Sequence, residues 1–212
     1  MEFERFLSLI PQLRNSPLGG VNSHLKMIPK ERIIPNWNEV HRSNPKKAAV
    51  MALFYPDSSN QTQFLLIQRA EYQGTHSAQI SLPGGKFDHA DKNLETTALR
   101  ETYEEVGISM TDIEIKVKMT ETYISPSNFL VTPFMGILSY SPLFKLNHEV
   151  KDIIEVQLTD LLSDLKVSSE RLSTSYMKNI EVPCFKFQNN TVWGATAMML
   201  SEIKDLIQSN FH

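Results

Sequence analysis

Between Pro83 and Gly107 the chain carries the pattern that most restricts its fold: Pro83-Gly84-Gly85, then Arg100-Glu101-Thr102-Tyr103-Glu104-Glu105-Val106-Gly107. Thr96 to Val106 reads as a helix, with Gly107 placed as its C-cap. On that helix Glu101, Glu104 and Glu105 stand at i, i+3 and i+4, on one face. Like charges at this spacing repel and mildly destabilise a bare helix. A divalent cation held by hard oxygen ligands, Mg²⁺ or Mn²⁺, would give three converging carboxylates a reason to be there. On spacing alone a solvated acidic face explains them equally well. The glycines shift the balance, because a Gly-Gly turn lets backbone approach a ligand or a helix with no Cβ in the way. Strand, glycine loop and acidic helix together suit diphosphate chemistry.

The rest of the chain supplies a mixed α+β frame. Phe3, Leu7, Ile10 and Leu13 keep helical spacing and predict an amphipathic opening helix. Ser16 to Pro45 is rich in Pro, Asn and Gly and predicts an irregular arm, so residues 1–45 are expected as helix plus arm and residues 46–212 as the main domain. Ala48 to Tyr55 and Gln63 to Arg69 are apolar runs joined by Asp57-Ser58-Ser59-Asn60, which predicts a hairpin. Glu71 to Leu82 reads as loop. Further strands are expected at Ile113 to Tyr123, Val131 to Ser139 and Val150 to Val156. Leu158 to Leu165 reads as a short helix, and Ile180 to Phe187 with Thr191 to Trp193 as a second hairpin. Ala195 to Phe211 reads as a closing helix, with Met198-Met199 in the core.

Composition removes several function classes. A formal net charge of -3 over 212 residues argues against nucleic acid and anionic membrane as partners. No run approaches a membrane span, and Met1 to Pro11 does not read as a signal peptide, so a cytoplasmic protein is expected. The single cysteine, Cys184, follows Pro183 in an apolar run and reads as an inert buried thiol rather than a nucleophile. His76 and His148 flank the acidic segment and read as structural residues or ligand contacts. Arg69, Lys86 and Lys26 could meet phosphates or serve as surface charge. Tyr123 to Asn128 reads as a loop.

The acidic segment resembles the box of the Nudix hydrolases: Gly, five residues, Glu, seven residues, Arg-Glu, an apolar residue, any residue, Glu-Glu, any residue, Gly, an apolar residue. Gly85, Arg100, Glu101, Glu104, Glu105, Gly107 and Ile108 match it. Three positions depart: Asp91 replaces the first Glu, eight residues rather than seven separate Asp91 from Arg100, and Thr102 takes the apolar position. The longer spacing is similar to the coenzyme A pyrophosphatase branch, which also carries Thr97-Ala98-Leu99-Arg100-Glu101. Its lead-in resembles Leu65 to Arg69 and His76 to Gly85, with Ala78 where the branch has Gly. Asn147-His148-Glu149-Val150 and Trp193-Gly194-Ala195-Thr196-Ala197 resemble two more of its stretches.

The resemblance implies the Nudix α/β/α sandwich, a mixed sheet between helices. It implies Mg²⁺ or Mn²⁺ on Glu101, Glu104 and Glu105, with Arg100 orienting a carboxylate of the box. Glu104, Glu149 and Arg100 are the expected catalytic group, Glu149 as a further ligand or general base. Arg69, Gly84, Gly85 and Lys86 are expected at the substrate, a small nucleotide conjugate with coenzyme A foremost. ADP-ribose or a nucleoside triphosphate are the alternatives within the family, and a nucleotide sensor without turnover is the alternative outside catalysis. A homodimer is compatible with all of these.

Overall fold

The computed structural model describes residues 1–30, 36–70, 79–173 and 178–211. A long strand, β1 (Lys46–Pro56), forms the spine of the fold. It pairs antiparallel with β2 (Thr62–Arg69), in the register Phe54 to Phe64 and Pro56 to Thr62. The turn between them is fixed by Asp57, whose Oδ1 accepts from the backbone N–H of Ser59 and of Gln61, both at 2.8 Å. The expected hairpin is therefore present.

Beyond β2 come two short strands, β3 (Ile80–Ser81) and β4 (Gly84–Lys86), where a loop was expected as far as Leu82. The first helix of the acidic segment follows, then β5 (Glu114–Lys118), β6 (Thr122–Ile124), β7 (Phe129–Ile137) and β8 (Val150–Gln157). Among the described residues β1 to β8 form one mixed sheet with the central order β3-β2-β1-β7-β5. β1 and β7 are parallel, from Lys46 opposite Phe129 to Phe54 opposite Ile137. The strand expected over Ile113 to Tyr123 is broken in two. Thr120 leaves the ladder between them, its N–H donating to Glu202 Oε2 at 3.0 Å.

β1 and β2 are apolar on both faces because both faces are covered. Ala48, Ala52, Phe54, Phe64 and Leu66 point to one side. There they meet Phe3, Phe6, Ile10 and Leu13 of α1 (Phe3–Asn15) and the apolar face of the closing helix (Gly194–Ser209). Ala49, Met51, Leu53, Tyr55, Leu65 and Ile67 point the other way, against Ala98 and Val106 of the acidic helix. The result is a sheet between helices.

The stretch expected to be an irregular arm carries two short helices among its described residues, α2 (Gly20–Leu25) and α3 (Trp37–Arg42). The helices that follow are α4, the acidic helix (Leu94–Val106), α5 (Leu158–Leu162) and α6, the closing helix. Before α6 lies a three-stranded sheet of β9 (Val167–Leu172), β10 (Ile180–Phe187) and β11 (Asn190–Trp193). Among the described residues, no helix is long and apolar enough to cross a membrane.

Both ends of α4 are fixed by side chain and sequence. Asn93 caps the N-terminus, its Oδ1 accepting from Thr96 N–H at 2.9 Å. Gly107 ends the helix at φ 78°, a conformation that favours glycine. Asn93→Ala should lower the stability to urea by about 1 kcal/mol, and Asn93→Asp should restore most of it.

Candidate active site

β4 lies antiparallel on β1, with Gly84 opposite Val50 and Gly85 opposite Ala49. Both glycines are needed there. Gly84 has φ +150°, and a Cβ on it would strike Ala49 O and Val50 Cα of the neighbouring strand. A Cβ on Gly85 would land on the Glu101 carboxylate. The glycine loop and α4 are thus in direct contact, and the carboxylates of the helix face the loop backbone.

Glu105 sits deepest, with its side chain 2% exposed. Its Oε2 accepts from Gly84 N–H at 2.8 Å, and its Oε1 lies 3.2 Å from Arg69 Nη1. Burial pushes its carboxyl up to about 7, against the pull of the Gly84 N–H and the Arg69 charge. Glu101 is also raised by burial, with Arg100 opposing. Glu104 is half exposed. Glu149 stands just before β8, half exposed, with Oε2 at 3.6 Å from Arg69 Nη2. Its backbone is set by Asn147, whose Oδ1 accepts from Glu149 N–H at 2.9 Å and whose own N–H donates to Glu105 O at 3.2 Å.

Arg100 is the second organiser. Its Nε and Nη2 contact the two oxygens of Asp91 at 2.9 and 3.0 Å, a bidentate pair. Its Nη1 reaches Glu101 Oε1 at 2.9 Å and Glu104 Oε2 at 3.1 Å. The acid expected to meet Arg100 is therefore Asp91, together with two of the glutamates. Hydrogen bonding to Arg100 holds the Asp91 carboxyl down at about 2. Thr97, itself buried, donates its Oγ1–H to Asp91 Oδ2 at 2.8 Å. Thr102 is accommodated at the apolar position because its buried hydroxyl donates to Ala98 O one turn back, at 2.7 Å.

These residues border a cavity of about 700 Å³. Arg69, Gly84, Gly85, Lys86, Glu101, Glu104 and Glu149 all line it, while Glu105 lies behind the wall. Tyr123 and the turn after it also line it, as do Trp193, from the stretch that resembles the coenzyme A pyrophosphatase branch, and Ile180 and Val182, which sequence reasoning did not single out. His148 is exposed and does not border the cavity, and Lys26 pairs with Asp205 of α6 at 2.7 Å. His76 and Ala78 lie outside the described residues. Cys184 is buried, and burial pushes its thiol up, as suits an inert side chain.

Among the described residues, no three Asp, Glu, His or Cys side chains converge as ready ligands of one ion. The reason is visible in the ion pairs: Arg100 draws Glu101 and Glu104 to itself, and Arg69 draws Glu105 and Glu149. The donor set still fits a hard cation. It is all carboxylate oxygen, its carboxylates outnumber the two guanidinium groups among them, and the missing Cβ of Gly85 keeps the Glu101 carboxylate accessible to the cavity it lines.

The NUDIX domain pattern matches residues 45–175, and the chain belongs to the Nudix family. It is 30% identical over 166 residues to the chloroplastic Nudix hydrolase 22 of Arabidopsis thaliana, covering 75% of this chain and 54% of that protein. It is 30% identical over 155 residues to the peroxisomal coenzyme A diphosphatase ndx-8 of Caenorhabditis elegans, covering 72% of this chain and 64% of that protein. The chain thus spans between about half and two thirds of the length of these relatives. The fold is shared with a MutT/nudix family protein from Enterococcus faecalis, at a TM-score of 0.54 and 17% identity over 84% of this chain and 66% of that one.

The raised Glu105 carboxyl makes a pH prediction for the metal-free protein. Its value rises from 4.5 in the unfolded chain to about 7 in the fold. The stabilising contribution of its protonated form is complete below 4.5 and is lost as the pH rises through about 7. With a chelator present, the unfolding free energy from urea titration should fall between pH 5 and pH 8, by at most about 3 kcal/mol from this group. Glu105→Gln should flatten that part of the profile, and an unchanged slope in the variant would refute the assignment.

Proposed function

We propose that this chain is a metal-dependent pyrophosphohydrolase that cuts coenzyme A at its diphosphate, giving 3′,5′-ADP and 4′-phosphopantetheine. The observation that carries the reading is the single cavity in which Glu101, Glu104 and Glu149 share a lining with Tyr123, Ile180, Val182 and Trp193. A diphosphate with an elongated organic arm needs both kinds of wall. About 700 Å³ is within the ordinary range for a ligand of that size. The coenzyme A diphosphatase among the relatives supports the same substrate.

Mg²⁺ or Mn²⁺ on Glu101, Glu104 and Glu105 supplies, when bound, positive charge against the diphosphate oxygens. The chain's own residues do the remaining work. Arg100 keeps Glu101 and Glu104 together on the cavity side of α4. Gly84 N–H fixes Glu105 from behind, and Arg69 balances its charge in the metal-free site. Glu149 Oε atoms accept the proton of the attacking water, at the cavity wall where the side chain is half exposed. Lys86, exposed on the same wall, meets the 3′-phosphate through Nζ. No thiol takes part, since Cys184 is buried in the core.

Product analysis with coenzyme A, dephospho-coenzyme A, ADP-ribose and dNTPs decides between substrates. Coenzyme A should give the two named products, with dephospho-coenzyme A cleaved at a lower kcat/KM. Lys86→Ala should erase that preference. Efficient hydrolysis of ADP-ribose with coenzyme A untouched would overturn the substrate and leave the reaction class standing. Glu104→Gln and Glu105→Gln should each lower kcat by a factor on the order of 100 or more while the fold persists. Near wild-type turnover in both would overturn the reaction class as well.

A further inference from the structure

Arg69 is the last residue of β2, where the register against β8 slips between Gln68 and Arg69. Such a bulge re-aims the side chain that follows it. Here it sends the guanidinium between two carboxylates from different elements, Glu105 of α4 at 3.2 Å and Glu149 before β8 at 3.6 Å. The arginine is not fully satisfied there. Its Nε is buried and lacks a hydrogen-bond partner among the described residues, and the longer of its two ion pairs is with a half-exposed glutamate. It also lines the cavity, so its head borders open space on one side.

We propose that Arg69 is an exchangeable counter-ion: it balances Glu105 and Glu149 until a divalent cation arrives, then leaves Glu105 for the cavity, where it binds the anionic substrate. This rests on the cation reading of Glu101, Glu104 and Glu105 given above. Two positive charges cannot share one buried carboxylate without repulsion, so Arg69 and the cation compete for Glu105. An arginine displaced toward the cavity presents a planar fork suited to phosphate oxygens. Cation loading and substrate capture are thereby coupled through one side chain. Arg100 differs, because its bidentate grip on Asp91 anchors it away from such exchange.

Titration with Mn²⁺ alone, read by the paramagnetic resonance of the free aqua ion, tests this without turnover. Arg69→Gln should bind Mn²⁺ about 5- to 10-fold more tightly than wild type, and Lys86→Gln should match wild type within about 2-fold. Arg69→Met, which keeps the apolar stem, gives the same result if the Gln variant does not fold. In the wild-type protein, the Arg69 Nε–H resonance should move on adding Mg²⁺, its assignment taken from Arg69→Lys. Equal or weaker Mn²⁺ affinity in the Arg69 variants, or an Arg69 resonance indifferent to Mg²⁺, overturns the exchange. Failure of the underlying cation reading looks different: wild type and Glu101→Gln would then bind Mn²⁺ alike.

Discussion

The site depends on one buried hydrogen bond, from Gly84 N–H to the Glu105 carboxylate at 2.8 Å. A carboxylate that is 2% exposed is costly to ionise without partners. The neighbouring structure limits that cost. β4 must lie on β1 to aim the Gly84 N–H, and it can lie that close only because Gly84 carries no Cβ, while the missing Cβ of Gly85 leaves room for Glu101 of α4. α4 must start and stop where it does for Glu105 to reach the loop, and Asn93 and Gly107 set those limits. Arg69 closes the arrangement from β2. Strand pairing, glycine conformation and helix capping therefore converge on the position of one side chain.

The other half of the carboxylate face hangs on Arg100 and Asp91. Asp91 is held by Thr97, by Arg100 through two contacts, and by the backbone of its own turn, where its Oδ2 accepts from Asp88 N–H at 3.1 Å. A shorter acid serves here because the turn carries it inward to the guanidinium. The longer loop before α4 alters the route to Arg100 and leaves the contact intact. Arg100 then reaches Glu101 and Glu104 with its remaining edge, which offsets the repulsion that spacing alone would impose.

Much of this frame was legible in the residues. The β1–β2 hairpin, the acidic helix with its glycine cap and the closing helix all carry strong local signals, and the structure forms each of them. β3 and β4 were not legible, because strands of two and three residues with glycines carry no period; pairing with β1 and β2 creates them. β9 was missed for a related reason. Val167-Ser168-Ser169-Glu170-Arg171-Leu172 is a polar edge strand held by β10. Arg69 was legible as a cation near the site, but its bridge between Glu105 and Glu149 needs the bulge in β2 and so has no sequence signature. Ile180 and Val182 read as ordinary strand residues, and nothing local marks them as cavity wall.

The cavity divides along the chain in an instructive way. Every carboxylate and cation discussed at the site lies within residues 45–175, the span of the family pattern. Pro29, Ile180, Val182, Trp193 and Ala195 lie outside that span and still line the cavity. Ile180, Val182 and Trp193 are placed by the pairing of β9, β10 and β11, and α6, which carries Ala195, is fastened by its buried acid Glu202, whose Oε1 accepts from Gly20 N–H at 2.7 Å and whose Oε2 accepts from Thr120 N–H. Ser201 adds a hydrogen bond to Ser23 O at 2.8 Å, and Ser23 and Lys26 both meet Asp205. The N-terminal stretch is thus fastened to α6, and α6 begins at the cavity. The charged chemistry is contained in the family core, and the apolar wall is shared, with Val50, Ile80, Phe129 and Val131 from that core and Ile180, Val182 and Trp193 from the flank after it.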